Sequence, residues 1–402
     1  MKIGIIREGK IPIDKRVALS PAACKEVVEK FPGTEIYVQS SKIRCYKDQE
    51  YVDAGFELKE DVSTCDILLG IKEVPMDDLI PQRTYLFFSH TIKKQSYNRD
   101  LLNALLRKQI KMVDYEALTD KNGVRVIAFG RYAGLVGAYN GILAYGKRHE
   151  LFELKPAHKC FDLAEMKTHC RALALPAIKI ALTGNGRVSN GAAETLNEMG
   201  VEQVSAEDFL ANEYDKPVFV QLKSEDYNVR KDGQAFDTPS FFTKGEEYES
   251  AFKPYAQKAD VLIAGAYWDI KQPVLFTKED MRGDDFKIKV IADITCDIEG
   301  SIPSTKQPST IDDPLYDYNP DTEGLQRPLS GAKNVTVMAV DNLPNELPRD
   351  ASDSFGRQLI DFVLPNLLNG DAEGMIANAS ITEGGKLTEK FSYLQDFADG
   401  KE

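Results

Sequence analysis

A short apolar run that leads into a cluster of glycines constrains the fold of this chain most strongly. Ile178–Thr183 is apolar enough for a buried strand, and Gly184-Asn-Gly-Arg-Val-Ser-Asn-Gly191 follows it. The amphipathic stretch Ala192–Met199 then predicts a helix. A strand, a glycine turn and a helix in this order are typical of α/β folds in which the turn binds the pyrophosphate of a dinucleotide. Because Ser189 stands where the third glycine of the G-x-G-x-x-G pattern is usual, a plain structural turn is the alternative.

Short apolar runs alternate with amphipathic stretches along all 402 residues, which predicts an α/β protein. The predicted strands are Lys2–Ile6, Glu35–Gln39, Ile67–Ile71, Tyr85–Phe88, Lys111–Asp114, Val201–Val204, Val218–Leu222, Val261–Ala264, Lys289–Asp293 and Val335–Val340. The predicted helices include Pro21–Phe31, Gln95–Lys108, Ala351–Leu364 and the tail 380–402, and Asp312–Gly331 is predicted to be a long surface loop. We expect two Rossmann-like domains with open, mostly parallel sheets flanked by helices and a cleft between them. Residues 1–130 with 345–402 would form the substrate domain, and 131–344 the dinucleotide-binding domain.

A second glycine-containing stretch, Ala133–Ala144, predicts a helix despite Gly134, Gly137 and Gly141. Each glycine costs a helix about 1 kcal/mol relative to alanine, so their presence indicates a place where another backbone must approach closely. A helix lying between two domains would meet that need.

The net charge of -13 and the pI near 5.0 argue against nucleic acid or an anionic membrane as a partner. Neither a signal peptide nor an apolar run of membrane-spanning length is apparent in the sequence. The six cysteines are scattered, which suits free thiols in a reducing compartment. We therefore expect a soluble, cytoplasmic protein that acts on small molecules, as a monomer or a homo-oligomer.

Charged side chains follow several of the predicted strands, and the carboxyl ends of parallel strands meet at one edge of a sheet, where open α/β folds build their sites. Arginine is suited to binding carboxylates, and a partly desolvated lysine among other cations has a pKa low enough for acid–base catalysis, as has histidine. Such a set would serve an anionic substrate whose amine or carbonyl exchanges protons beside a hydride carrier. The side chains concerned are Arg16, Lys72, Glu73, His90, Glu116 and Arg125.

Four potential metal ligands, His158, Cys160, His169 and Cys170, lie close together in the sequence. Thiols and imidazoles suit zinc, but their spacing matches no common closed zinc site, so we expect no metal.

Several longer motifs occur in the same order as in a known family. They are Leu69-Gly-Ile-Lys72-Glu73-Val-Pro75, Tyr85-Leu-Phe-Phe-Ser-His90-Thr-Ile-Lys93, Ala128-Phe-Gly130, the glycine turn, Leu262-Ile-Ala-Gly265-Ala-Tyr-Trp268, Ile294-Thr-Cys-Asp297-Ile-Glu-Gly300 and Asp341-Asn-Leu-Pro344-Asn-Glu-Leu-Pro348. On these motifs the chain resembles lysine–ketoglutarate reductase and the lysine-forming saccharopine dehydrogenases. It is more distantly similar to alanine dehydrogenase and the nucleotide-binding subunit of transhydrogenase.

The resemblance implies an NAD- or NADP-dependent oxidoreductase that interconverts saccharopine with lysine and 2-oxoglutarate. It implies that Lys72 and His90 form an acid–base pair, while the substrate is bound by Arg16, Glu73, Lys93, Glu116 and Arg125. The cofactor would be bound by Gly184, Gly186, Arg187, Val188, Gly191 and Asp341, with the choice between NAD and NADP left open.

Two features depart from the family pattern: Arg131 adds a cation, and the segment 207–257 is long and charged. The alternative functions are an alanine dehydrogenase-like enzyme and a transhydrogenase-like nucleotide-binding subunit without turnover of its own.

Overall fold

A computed structural model describes residues 1–401 of the chain, which form two compact units. Unit 1 consists of Met1–Phe129 together with the residues from Pro348 onward, and unit 2 consists of Gly130–Leu347. Each unit contains one eight-stranded, mostly parallel sheet with helices packed against it, as the sequence predicted. Within the described residues, every helix is too short or too polar to cross a lipid bilayer.

The first part of unit 1 alternates strands and helices. The strands are β1 (Lys2–Ile5), β2 (Glu35–Gln39), β3 (Glu57–Lys59), β4 (Ile67–Leu69), β5 (Thr84–Phe87) and β6 (Lys111–Asp114), and the helices are α1 (Pro21–Lys30), α2 (Asp48–Asp53) and α3 (Arg99–Arg107). The six strands are all parallel, in the order β6-β5-β4-β1-β2-β3. Because β1, β4, β5 and β6 lie side by side, the residues that follow them meet at one edge of the sheet.

Helix α1 begins where the sequence predicted. Ser20 caps it by accepting the N–H of Ala23 at 3.3 Å, and Pro21 occupies the first helical position, where its missing N–H costs nothing. The predicted helix from Gln95 was too long, because a 3₁₀ turn, Ser96–Asn98, precedes α3.

Unit 2 contains ten strands and eight α-helices. The helices are α4 (Gly130–Arg148), α5 (Leu163–Arg171), α6 (Arg187–Glu198), α7 (Ala206–Ala211), α8 (Ser224–Tyr227), α9 (Thr238–Thr243), α10 (Lys253–Ala256) and α11 (Lys278–Arg282). The strands are β7 (Lys179–Thr183), β8 (Glu202–Val204), β9 (Val218–Leu222), β10 (Asn228–Arg230), β11 (Tyr248–Ser250), β12 (Val261–Ala264), β13 (Val290–Asp293), β14 (Leu315–Asn319), β15 (Gly324–Gln326) and β16 (Val335–Met338).

The sheet of unit 2 has the order β15-β14-β16-β13-β12-β7-β9-β8, and a separate hairpin is formed by β10 and β11. Strand β9, which belongs to the charged segment 207–257, lies between β7 and β8. The strand that follows the glycine turn in sequence is therefore at the edge of the sheet, and β9 is the neighbour of β7.

The glycines of α4 allow other parts of unit 2 to approach closely. A Cβ on Gly134 would lie 1.8 Å from the carbonyl oxygen of Val188 in α6, and a Cβ on Gly141 would lie 2.9 Å from the Cβ of Ala292 in β13. The predicted close approach is therefore confirmed, and within unit 2 it brings α4 against α6 and β13.

The chain returns to unit 1 with α12 (Pro348–Gln358), a π-helical segment (Leu359–Val363), α13 (Leu364–Leu368), α14 (Met375–Ala379), β17 (Ser380–Glu383), β18 (Lys386–Leu387) and α15 (Gln395–Ala398). Helix α12 packs on α1, and the hydroxyl of Ser352 accepts the N–H of Val17 at 2.9 Å. Two predictions were wrong. The residues from Ser380 form antiparallel strands beside β6, and the expected loop 312–331 contains β14, whose residues Leu315–Tyr318 are buried. The edges of both sheets stabilise segments whose local sequence does not favour a strand.

Candidate functional site

The predicted substrate residues of unit 1 lie just beyond the carboxyl ends of neighbouring strands. Lys72 and Glu73 follow β4, His90 follows β5, and Glu116 follows β6. The structure brings these side chains together because all of the strands concerned are parallel and adjacent.

Lys72 is partly buried at this edge, and its main chain is bound by a residue that the sequence did not single out. Burial and the nearby charge of Arg16 lower the pKa of Lys72, in the direction that acid–base chemistry needs. Glu8 accepts the N–H groups of Ile71 and Lys72 at 2.7 and 2.8 Å. Burial and the neighbouring Asp14 raise the pKa of Glu8 to about 8.

His90 is held by a carboxylate from the next strand end. Its Nδ1 lies 2.7 Å from Oε1 of Glu73, while the ammonium of Lys10 donates to Oε2 of Glu73, also at 2.7 Å. Burial alone would raise the pKa of Glu73, but the hydrogen bonds from His90 and Lys10 lower it to about 2. Glu73 is therefore ionised at neutral pH and fixes the orientation of the imidazole.

Asp114, the last residue of β6, organises the loops that carry His90 and Glu116. Its side chain is fully buried and accepts the N–H of Ser89 at 3.0 Å, the hydroxyl of Ser89 and the N–H of Glu116 at 2.7 Å. Asp114 was predicted to be the last residue of a strand, but no function in the site was predicted for it.

Glu116 lies between two cations. Its Oε1 is 3.4 Å from Nζ of Lys93 and 3.9 Å from Nη1 of Arg125, whose guanidinium lies over the ring of Phe88 at 5.6 Å. The other carboxylate oxygen of Glu116 is buried and has no hydrogen-bond partner. This oxygen is available to a donor such as a substrate ammonium.

Arg16 has a partner within the chain that the sequence did not predict. It is buried, it lies 4.2 Å from the ring centroid of Phe129, and its Nε and Nη2 donate to the carboxylate of Asp14 at 3.0 and 2.5 Å. Asp14 neutralises much of its charge, so Arg16 contributes less net positive charge to the edge than the sequence indicated.

The glycine turn in unit 2 is shorter than predicted. Gly184 has a φ of +94°, and α6 begins at Arg187, with Gly186 as its N-cap and no side chain that caps it. No atom lies within 4 Å of where a Cβ on Gly186 would stand, so the helix amino terminus is open to an anion. Arg187 is exposed and Val188 half-buried at this place.

Gly191, predicted to end the turn, lies inside α6, where a Cβ would be 2.1 Å from the carbonyl oxygen of Arg131. Glycine is needed at this position because α6 packs closely against Arg131 of α4.

Asp341 is exposed, beyond the end of β16. Of the residues beside the turn, Gln221 of β9 was missed, and its amide donates to the carbonyl of Gly184 at 3.2 Å.

The residues weighed as metal ligands in the sequence converge only in part. Cys160 and His169 form a group with Glu165, with ligand atoms within 4.8 Å of one another, and His158 and Cys170 are outside it. Lys155 already pairs with the carboxylate of Glu165, which opposes a cation there. All six cysteines are free, as predicted.

Both units match one family. Residues 4–136 match the alanine dehydrogenase/PNT N-terminal domain, and residues 172–391, more than half of the chain, match the alanine dehydrogenase/PNT C-terminal domain. The chain belongs to the alanine dehydrogenase/PNT family.

Relatives within this family carry more specific names. The mitochondrial alpha-aminoadipic semialdehyde synthase of Mus musculus is 29% identical over 97% of this chain and 47% of its own length. The Arabidopsis thaliana protein of that name is 29% identical over 98% of this chain and 41% of its own. The chain therefore spans about half the length of these relatives. The NAD(+)-dependent, L-lysine-forming saccharopine dehydrogenase of Schizosaccharomyces pombe is 26% identical over 89% of this chain and 90% of its own length. These names support an oxidoreductase of the family.

Solved structures agree on the fold. An L-alanine dehydrogenase superposes with a TM-score of 0.65 at 14% identity, covering 100% of this chain and 99% of the other. A transhydrogenase from Sinorhizobium meliloti superposes with a TM-score of 0.59 at 16% identity, covering 96% and 99%.

Proposed function

We propose that the protein is an NAD(P)-dependent oxidoreductase that interconverts saccharopine with L-lysine and 2-oxoglutarate. The observation that carries the proposal is the acid–base set at one sheet edge of unit 1. There Lys72 is partly buried, and the next residue, the ionised Glu73, acts on the charge of Lys72 and holds the ring of His90. The names of the relatives agree with this chemistry.

Lys72 and His90 are the proposed acid–base residues. In the direction of saccharopine formation, the ε-amine of lysine adds to the ketone of 2-oxoglutarate, and the carbinolamine loses water to give an imine. Both steps move protons, and burial lowers the pKa of Lys72 in the direction that proton exchange needs. The imidazole of His90 is the second proposed proton-exchanging group. In the reverse reaction the same two groups act again, and each accepts the proton that it donates in the forward direction, or donates the one that it accepts.

The remaining residues of the edge are proposed to bind the charged ends of the substrates. Arg16 and Arg125 would hold carboxylates, with Asp14 moderating the charge of Arg16. The unpartnered oxygen of Glu116 would accept a substrate ammonium, and Lys93 beside it would add a second cationic contact.

Unit 2 is the proposed dinucleotide-binding domain, and unit 1 the substrate domain. The open amino terminus of α6, with Gly184 and Gly186 before it, fits a pyrophosphate, and Arg187 and Val188 line the same turn. Gly191 supports this turn from within the helix, and Asp341 would contact the cofactor from the end of β16. When bound, reduced NAD or NADP would supply the hydride that converts the imine to the secondary amine of saccharopine, and the oxidised cofactor would accept it in the reverse direction.

A substrate panel tests the proposal. We expect purified protein to oxidise saccharopine with NAD or NADP and to reduce lysine plus 2-oxoglutarate with the corresponding reduced cofactor. Turnover of pyruvate with ammonia in place of these substrates would instead identify an alanine dehydrogenase-like enzyme. Absence of turnover with every pair would contradict the proposed function.

The Lys72→Met variant tests the acid–base assignment. Met keeps most of the length of the unbranched side chain but has no group that can donate or accept a proton, so we expect kcat to fall by about 10²- to 10⁴-fold, the usual contribution of a general acid–base. Lys121→Met, which removes an exposed lysine of the same unit, is the control and should leave kcat unchanged. Full turnover in Lys72→Met would remove Lys72 from the mechanism.

A further inference from the structure

We propose that Glu8 is a positioning residue that holds Lys72 in place through the main chain. This inference rests on the proposed function, since it assigns Glu8 a part in the same reaction. Glu8 follows β1, and its carboxylate reaches across to the residues that follow β4.

The main chain at Lys72 lies where the sheet no longer supplies hydrogen-bond acceptors. The N–H of Gly70 still donates to the carbonyl of Leu86 on β5, at 3.0 Å. The next two N–H groups, those of Ile71 and Lys72, donate to Oε1 and Oε2 of Glu8 instead. One carboxyl group thus satisfies two successive main-chain donors that would otherwise be left without an acceptor.

The backbone on which Glu8 stands is itself fixed to the same strand. The N–H of Ile6 donates to the carbonyl of Leu69, the last residue of β4, at 3.0 Å. Glu8 therefore closes a short loop of hydrogen bonds that begins at Leu69, the end of β4, and finishes at Ile71 and Lys72 just beyond it. This loop restrains the Cα of Lys72, and the position of its ammonium depends on that of its Cα.

Proton transfer is sensitive to such a restraint, because a displacement of about 1 Å can cost up to 10²-fold in rate. Residues that bind substrate or cofactor elsewhere do not depend on it. Loss of Glu8 should therefore reduce kcat with little effect on the KM for the nucleotide.

Two variants separate this role from a purely electrostatic one. Glu8→Gln keeps the shape of the side chain but turns one of the two acceptors into an amide donor. Glu8→Asp keeps an ionisable carboxyl group but withdraws it by one methylene. A role through charge alone would leave Glu8→Asp active, whereas positioning predicts that kcat falls by about 10- to 100-fold in both variants.

Amide hydrogen exchange gives a readout that does not depend on activity. In both variants we expect faster exchange in the peptide that contains Ile71 and Lys72, with no change in peptides from β5. Glu60→Gln is the control, because Glu60 pairs with the neighbouring Arg7 but has no bond to the Lys72 main chain. It should leave both exchange and kcat as in the wild type.

The outcomes are distinct. Wild-type kcat in either Glu8 variant, or unchanged exchange at Ile71 and Lys72, would overturn the positioning role. If the wild-type protein shows no turnover with any substrate pair, the proposed function fails, and the exchange experiment alone still decides whether Glu8 holds the main chain of Lys72.

Discussion

Substituting Gly134 by alanine would place a methyl group where two helices of unit 2 touch. The added Cβ would lie 1.8 Å from the carbonyl oxygen of Val188 and 2.7 Å from the amide nitrogen of Ala192. Both obstructing atoms belong to the backbone of α6, so no side chain can rotate to make room. Ordinary non-bonded contacts are about 3.5 Å, so α4 and α6 would have to separate by about 1.7 Å.

The size of the expected loss of stability follows from the rigid backbone that the added methyl group would meet. Overpacking usually costs about 1–3 kcal/mol, and a contact with rigid backbone belongs at the upper end or beyond it. The higher helix propensity of alanine offsets about 1 kcal/mol of this loss of stability. A net loss of at least about 2 kcal/mol remains, which for a unit of this size lowers Tm by roughly 4–8 °C.

Differential scanning calorimetry of Gly134→Ala measures this shift. Because Val188 belongs to the first turn of α6, isothermal titration with NAD and NADP should also show weaker nucleotide binding. Gly324→Ala is a matched control, since the nearest atom to its added Cβ would be 3.4 Å away. A Gly134→Ala protein that unfolds at or above the wild-type temperature would refute the packing argument.

Two further predictions concern the two parts of the site. The pKa of Glu73 in the folded protein, about 2, lies below its ordinary value of 4.5, so its stabilising effect is present above about pH 4.5 and is lost as the pH falls toward 2. The difference in urea-unfolding free energy between wild type and Glu73→Gln should therefore shrink by up to about 3 kcal/mol over that range, and a pH-independent difference would count against the ion pair. Gly186→Val should weaken nucleotide binding at least tenfold, or about 1.4 kcal/mol, without lowering Tm, because its side chain would enter open space in front of α6. Unchanged affinity would show that the nucleotide does not bind at the glycine turn.

Some elements of this protein are determined by short stretches of sequence. The strand Lys111–Asp114 and the start of α1 at Pro21 were predicted to the residue, since hydrophobic periodicity and helix capping depend only on near neighbours. The position of Lys72 and His90 directly after strands could be predicted for the same reason.

Other features depend on segments that meet only in the folded chain. The sequence marked Lys72 and His90 but missed two acids that hold the main chain beside them. Glu8 reaches across 64 positions to the N–H of Lys72, and Asp114 reaches across 25 to the N–H of Ser89. Likewise, β17 is a strand because β6 offers it an unpaired edge. A carboxylate after a strand has the same local sequence signal whether it faces solvent or accepts a buried N–H. The partner is chosen by strand order, and strand order is a property of the tertiary structure.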